Sequence, residues 1–369
     1  MQIRVDRLRE ALDVLDPVVP GRKPTLAILT NVLLKDGKAI ATDLEETVVL
    51  DLPEAQGEFL LPHHQVSELL KYVPGDRDLT LDKKGGNLLL AWDGGKASYD
   101  VAKPKEFPPV PEVEIEAEAT VDGDSLVSAL TAVAPYCTSD RSRLALTGVT
   151  LYLGEKVAVA GADGYRLAYK ELGVAFPLDD KIIVPDKAIS LLERLCKKLP
   201  RTVPVSDSLV EMVTSQRQIQ LALGKKMLVF KVGSATLTSK LVEGTPPDHR
   251  RLIPDDTPIK VHFFSSEMER AINRLKDVAR NGKSIVRLVW EENTINVSAQ
   301  SEDKRQVETS LSAMVDTPGK IAISVDYLLS YLSGKDGMVT MGVRSESEPA
   351  LFRYNGAPLV LIMPMHVDW

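Results

Sequence analysis

The sequence predicts an α+β protein in which one unit, two helices laid on antiparallel strands, is repeated three times. Three observations predict it. The chain has 369 residues, too many for one compact core. A stretch with helical spacing recurs three times, each time ahead of a β-rich run. A second pattern of strand, polar joint, helix and breaker also recurs three times.

In the first copy, Val5, Leu8, Leu12, Leu15 and Val19 step by three and four, which places them on one helix face. "FLLPHHQVSELLKYVPG" is the strand and second helix, with Pro62 at the joint, and "DLTLDKKGGNLLLAWDGGKASYDVA" alternates as strands broken by glycine turns. The stretch "KEFPPVPEVEIEAEATVDGD" opens with a proline-rich joint and then alternates strictly. Glu112, Glu114, Glu116 and Glu118 face one way and Val113, Ile115, Ala117 and Ala119 the other, the pattern of an edge strand guarded by charge. The second copy shows Leu126, Leu130 and Val133 in register and repeats the joint at Pro185 in "KIIVPDKAISLLERLCKKLP". In the third, Met268, Ile272, Leu275 and Ala279 form the stripe, and Ser265 or Ser266 is expected to cap that helix, with Glu269 completing a capping box. "KIAISVDYLLSYLSG" is its second helix. The repeats are expected at 1–118, 119–244 and 245–369, each a comfortable domain size.

Composition narrows the function. The 44% hydrophobic and 26% charged fractions are ordinary, and 5% aromatics makes the cores aliphatic. No apolar run approaches membrane-spanning length, and "MQIRVDRLRE" is charged where a signal peptide is apolar. Cys137 and Cys196 offer neither a disulfide framework nor metal spacing, which points to the cytoplasm. The tripeptide Asn296-Val297-Ser298 matches a glycosylation sequon by chance. Net charge is −7, which as a bulk property opposes nucleic-acid binding but does not say where the charges sit.

Catalytic machinery is not visible. Gly95-Lys96 runs into Ala97 and lacks the upstream glycine of a phosphate loop, and neither G-x-S-x-G nor H-E-x-x-H occurs. The histidines are His63, His64, His249, His262 and His366, read as ordinary surface residues because ligand sets need convergent spacing. His63 and His64, adjacent in an extended joint, point to opposite sides. Asp163 in "GADGYRLAYK" reads as turn chemistry, with an enzyme centred on it as the rival. No metal and no cofactor is expected.

Basic residues collect on repeated helices. Arg270 and Arg274 lie opposite the apolar stripe of the third copy, Arg194, Lys197 and Lys198 close the second helix of the middle copy before Arg201, and the first copy contributes Arg7, Arg9 and Lys71. Any one such cluster suits a helix C-terminus or a solvated face. Three similar units would set similar helices side by side, and a basic concave surface could then face phosphates while the total stays negative.

The motifs "KPTLAILTNVLL", "ATDLEE", "ADGYRLA", "IVPDKAISLLERL", "LTSKLVEGTPPDHRRLIP" and the closing "MPMHV" occur in the order and near the spacing of the bacterial β sliding clamps of DNA polymerase III, which the chain resembles from Met1 almost to Trp369. The resemblance implies three similar domains per chain, a head-to-tail homodimeric ring, helices lining the hole and sheets outside, and a processivity factor that encircles double-stranded DNA without catalysing anything. Partners implied are the polymerase III catalytic subunit, the clamp loader, and other polymerases and repair proteins, all held by short peptides in an apolar cleft. By motif match the cleft takes Leu146, Gly164, Tyr165, Arg166, Leu167, Pro247, Arg251, Leu252, Leu361, Met363, Pro364 and Met365. DNA contacts implied outside the helices fall on Lys23, Arg141 and Arg143. The apolar tail "LVLIMPMHVDW" is then both a last core strand and a cleft wall, since alternate side chains face opposite ways. His366 stands where the family commonly has arginine, and Asp368 and Trp369 extend the ending, so Trp369 is expected to fold against the cleft. A monomeric peptide-binding scaffold is the other rival.

Overall fold

A computed structural model describes residues 1–21, 24, 26–199 and 217–369. Among them the α-helices are α1 (Val5–Leu15), α2 (His63–Leu70), α3 (Gly123–Val133), α4 (Asp186–Lys198), α5 (Ser265–Arg280) and α6 (Val325–Leu332). None is long and apolar enough to cross a membrane. The expected stripes are the buried faces: Val5, Leu8, Leu12 and Leu15 on α1, and Met268, Ile272, Leu275 and Ala279 on α5. Each fully buried Leu or Ile contributes about 1.5–3 kcal/mol, which holds eight-residue helices such as α2 that would not form alone. Pro62, Pro185 and Ser324 stand at the N-caps of α2, α4 and α6.

The chain packs as two units. One comprises residues 1–131, 153–156 and 174–242. Its four-stranded sheet runs in the order β1 (Gln2–Arg4), β6 (Asp78–Lys84), β7 (Asn87–Trp92), β8 (Gly95–Asp100). Its eight-stranded sheet runs β5 (Glu58–Pro62), β2 (Asn31–Lys35), β3 (Lys38–Thr42), β4 (Glu46–Asp51), β16 (Ala235–Lys240), β15 (Met227–Val232), β14 (Gln218–Gly224), β9 (Ile115–Asp122). The strand β13 (Lys181–Pro185) leads into α4. At mid-sheet, β4 joins β16 antiparallel, with Leu237 opposite Val48. The glutamate-lined β9 is an edge, as its alternation predicts, with Glu116 and Glu118 exposed.

The other unit comprises residues 132–152, 157–173 and 243–369. Its strands β10 (Gly148–Tyr152), β11 (Ala158–Ala162), β12 (Arg166–Glu171), β25 (Leu359–Ile362), β24 (Ala350–Arg353), β23 (Met338–Val343), β17 (Ile259–Phe264) and β21 (Met314–Val315) are hydrogen-bonded in that order. A separate four-stranded sheet runs β20 (Gln306–Ser312), β19 (Thr294–Gln300), β18 (Ile285–Glu291), β22 (Gly319–Ser324). Again an edge-to-edge pairing stands mid-sheet: β12 meets β25 antiparallel, Leu167 opposite Leu361 and Tyr169 opposite Leu359.

Two expectations change. The α5 helix has no capping box: Phe264 is its N-cap without a side-chain bond, and Ser265 is buried with its Oγ donating to the Lys335 carbonyl at 2.9 Å. His249 is buried at 2% exposure, and His63 is not at the surface either. It is 5% exposed with Nε2 3.0 Å from the Leu12 carbonyl, because the helix it opens turns that side inward while His64 stays exposed.

Candidate functional site

One face of the second unit's large sheet builds the site. Alternation puts Ala158, Ala160 and Ala162 of β11, Leu167 and Tyr169 of β12, Leu361 of β25, Leu351 of β24 and Tyr152 of β10 in one apolar cluster, with Leu146, Ile253 and Leu359 packed on it. The alanines leave depth for the segment from Pro247 to Ile253 to lie over the sheet. The Tyr152 hydroxyl anchors that segment: it donates to the Pro247 carbonyl at 3.1 Å and accepts from the His249 backbone N–H at 2.9 Å. Burial pushes its pKa up to about 12, so it remains a donor.

Beside this anchor lies a cavity of about 110 Å³ lined by Ala162, Gly164, Tyr165, Arg166, Leu167, Leu252, Pro349, Leu361 and Met363. Leu167 and Leu361, each 4% exposed, form its floor, while Leu252 at 59%, Tyr165 at 57% and Met363 at 43% stand open at the rim. A turn shapes one wall. Asp163 Oδ1 accepts the backbone N–H groups of Tyr165 and Arg166 at 2.9 and 3.0 Å, and Gly164 takes a φ of +95°, where any Cβ would also meet Arg143 Nη1 at 2.9 Å. Asp163 is therefore turn chemistry, as its sequence suggests.

Seven of the twelve expected cleft residues line this cavity. Arg166 does so with its backbone end, for its guanidinium is engaged elsewhere: Nε donates to Asp163 Oδ2 at 2.9 Å, Nη1 to Ser330 at 3.0 Å and Nη2 to the Pro135 carbonyl at 3.0 Å, between the rings of Tyr136 and Tyr327. Leu146 packs in the cluster behind, Pro247 serves the Tyr152 anchor, and Arg251 points to solvent on Asp248. Pro364 and Met365 lie past the lip; the Met365 backbone N–H donates to Ala322 of β22 at 2.8 Å. Sequence reasoning missed Ala162 and Pro349. The alanine alternation on β11 was a usable signal for the first, and nothing marks Pro349.

The expectation for Trp369 fails. Its ring sits 4.6 Å from Lys320 Nζ, and the Asp368 carbonyl accepts from Arg287 Nη2 at 3.2 Å. The tail follows the open edge of β22, where unpaired backbone groups and a cation draw it away from the cavity.

The basic candidates divide. Arg194 and Arg270 are exposed on α4 and α5 and make no ion pair among the described residues, and Arg274 bonds the Thr309 hydroxyl at 3.3 Å. Lys197 pairs with Glu193 on its own helix and Lys198 with Asp13 on α1. Arg141 is exposed, but Arg143 holds Asp140 and the Asp163 carbonyl. Lys23 and Arg201 lie outside the described residues. By sequence α4 carries net +2 and α5 net +1, and each of the other four helices among the described residues net −1. Among the described residues no cluster of His, Cys, Asp and Glu could hold a metal ion.

Comparison with known proteins gives these features a context. Residues 120–248 match the family model of the DNA polymerase III beta subunit, central domain, and residues 250–366 that of its C-terminal domain. The chain belongs to the beta sliding clamp family. The beta sliding clamp of Caulobacter vibrioides is 25% identical over 354 residues, 89% of each chain, and that of Synechococcus elongatus is 24% identical over 99% of this chain and 98% of its own. The crystal structure of the DNA polymerase III subunit beta from Pseudomonas aeruginosa shares the fold, with a TM-score of 0.87 at 23% identity and full coverage of both chains. As a sliding clamp the protein is a processivity factor of DNA replication, not an enzyme.

Proposed function

We propose that two copies of the chain close into a head-to-tail ring around duplex DNA, and that partners dock by short linear motifs whose apolar anchors enter the cavity between Leu167, Leu252, Leu361 and Met363. The observation that carries this reading is the cavity itself, a rigid buried floor beneath an exposed aliphatic and methionine rim. An extended peptide with one or two large apolar anchors would find its hot spots there, and methionine adapts to several related ligands. The replicative polymerase subunit, the clamp loader, and other polymerases and repair proteins would share the site in turn, in the cytoplasm.

The joints within the chain support ring closure. Taken as repeats at 1–118, 119–244 and 245–369, the first meets the second through β4 and β16, and the second meets the third through β12 and β25. The corresponding strands without a partner are β20 of the third repeat and β8 of the first, both sheet edges among the described residues. In the ring, β20 of one copy pairs with β8 of the next. Arg194 and Arg270, with Arg141, are then the cations open to phosphate contacts that are weak, blind to sequence and compatible with sliding.

Light scattering over a dilution series, with anisotropy of a labelled peptide carrying adjacent leucine and phenylalanine, tests this reading. A persistent mass of twice 40.4 kDa is expected. Leu167→Ala should weaken the peptide about tenfold or more, as truncating a buried anchor does, and leave the mass unchanged. Equal loss of both would reduce Leu167 to a packing residue, and a persistent monomer would refute the unaided ring.

A further inference from the structure

We infer that the cavity is the first of two compartments in one groove, and that the second receives an acidic residue of the same partner peptide. The inference rests on the peptide reading of the cavity and deepens it. On the shared sheet face, Ala162, Leu167, Leu361 and Leu351 lie opposite one another across β11, β12, β25 and β24, an entirely apolar row. Two residues further along the same strands the row is Ala160, Tyr169 and Leu359, and Arg353 stands two residues beyond Leu351 on β24. Alternation places both rows on one face, so a chain leaving the first meets the second without turning a corner.

Tyr169, Leu359 and Arg353 line a larger cavity of about 630 Å³ together with Lys170, Glu171, Arg250 and Asp255. The chemistry changes between compartments from aliphatic to cationic. Arg250 is held in place: its Nε donates to the Tyr169 hydroxyl at 3.0 Å and its guanidinium lies 4.6 Å from the Tyr152 ring. Lys170 Nζ donates to the Gly356 carbonyl at 3.0 Å. Arg353 is exposed and makes no ion pair among the described residues. Against these three cations stand Glu171, which accepts from the Tyr169 hydroxyl at 3.2 Å, and Asp255. A carboxylate arriving beside Arg353 completes the charge match, and a planar guanidinium suits it. The occupant is therefore an aspartate or glutamate flanking the apolar anchors of the docking peptide, which makes Arg353 a specificity residue.

Fluorescence anisotropy on the full chain tests it with three labelled peptides: a neutral one with adjacent leucine and phenylalanine, and the same peptide with a run of glutamates added at one end or the other. One acidic version should bind about threefold tighter than the neutral one in low salt, the scale of one accessible ion pair, and the gain should vanish in high salt. Arg353→Glu should abolish the gain while binding the neutral peptide as the parent does, which also shows that the variant folds. If the neutral peptide binds and neither acidic version gains, or if the gain survives in Arg353→Glu, the second compartment is refuted and the first stands. If no peptide binds, the peptide reading fails and takes this inference with it.

Discussion

Glu46 and Arg166 occupy the same place in two copies of one turn. Asp43 Oδ1 accepts the backbone N–H groups of Glu45 and Glu46 at 3.0 and 2.8 Å, as Asp163 does for Tyr165 and Arg166. Each turn enters the strand that forms a joint, and each is met by a residue in the first turn of a helix: Lys187 of α4 on Asp43 and Tyr327 of α6 on Arg166. The aspartate turns were legible in "ATDLEE" and "ADGYRLA". The fate of Glu46 was not, because its neighbour Lys187 comes 144 residues from Asp43 in sequence. Glu46 is 2% exposed, with Lys187 Nζ 3.7 Å away and shared with Asp43. Burial and the adjacent Asp43 charge push its carboxyl up to about 7, whereas burial of Asp43 is outweighed by Lys187 and two N–H donors, which hold it low. A carboxyl raised above its ordinary 4.5 adds stability at low pH that is lost as pH climbs through about 7. Glu46→Gln should therefore match the parent near pH 5 and exceed it at pH 8 by up to about 2 kcal/mol, read as a pH-dependent shift in urea midpoint.

Amphipathic stripes and the proline joints were readable from the sequence because helical and strand periods are local properties. Which strand abuts which was not, since the pairing of β12 with β25 brings together residues far apart along the chain. The reading of the cations was half legible. Sequence located the helix cations on α4 and α5, but Lys198 proves occupied by Asp13, an acid that no spacing rule connects to it in advance, and Arg143 by Asp140 three residues before it. The charge pattern of the helices makes a sharp expectation. Arg194→Glu with Arg270→Glu should shorten retention on closed circular DNA in low salt and flatten its salt dependence, by about one unit of log–log slope for each phosphate no longer neutralised. Unchanged retention would remove these two residues from the DNA-facing surface.

At the scale of the whole chain, a net charge of −7 and the DNA role are reconciled by uneven distribution: among the described residues two helices are basic and four acidic, and β9 carries Glu116 and Glu118. The same unevenness separates a guarded edge from the one proposed to join another copy. β9 is defended by charge, whereas β8, "GKASYD", carries only Lys96 and Asp100. By the alternation of an antiparallel ladder, Ser98, three residues beyond the turn pair of Trp92 and Gly95, directs its N–H away from β7. Ser98→Pro should leave the fold and the peptide cavity intact while shifting the mass on dilution toward 40.4 kDa, since proline removes a donor from the free edge. An undiminished dimer would place the ring joint elsewhere. Sequence repetition announced three similar units, but only the strand order reveals which edges are left over.

The lip of the cavity has a kinetic consequence. The Met363 backbone N–H donates to the Tyr165 carbonyl at 2.8 Å, and two residues later Met365 donates to Ala322 at the same distance. The rim methionine thus hangs from a main chain pinned on both sides, so a ligand entering as proposed would meet a side chain that rotates on the picosecond to nanosecond scale. On the peptide reading proposed above, association would then wait on encounter alone, and residence time would set the order in which competing partners take turns.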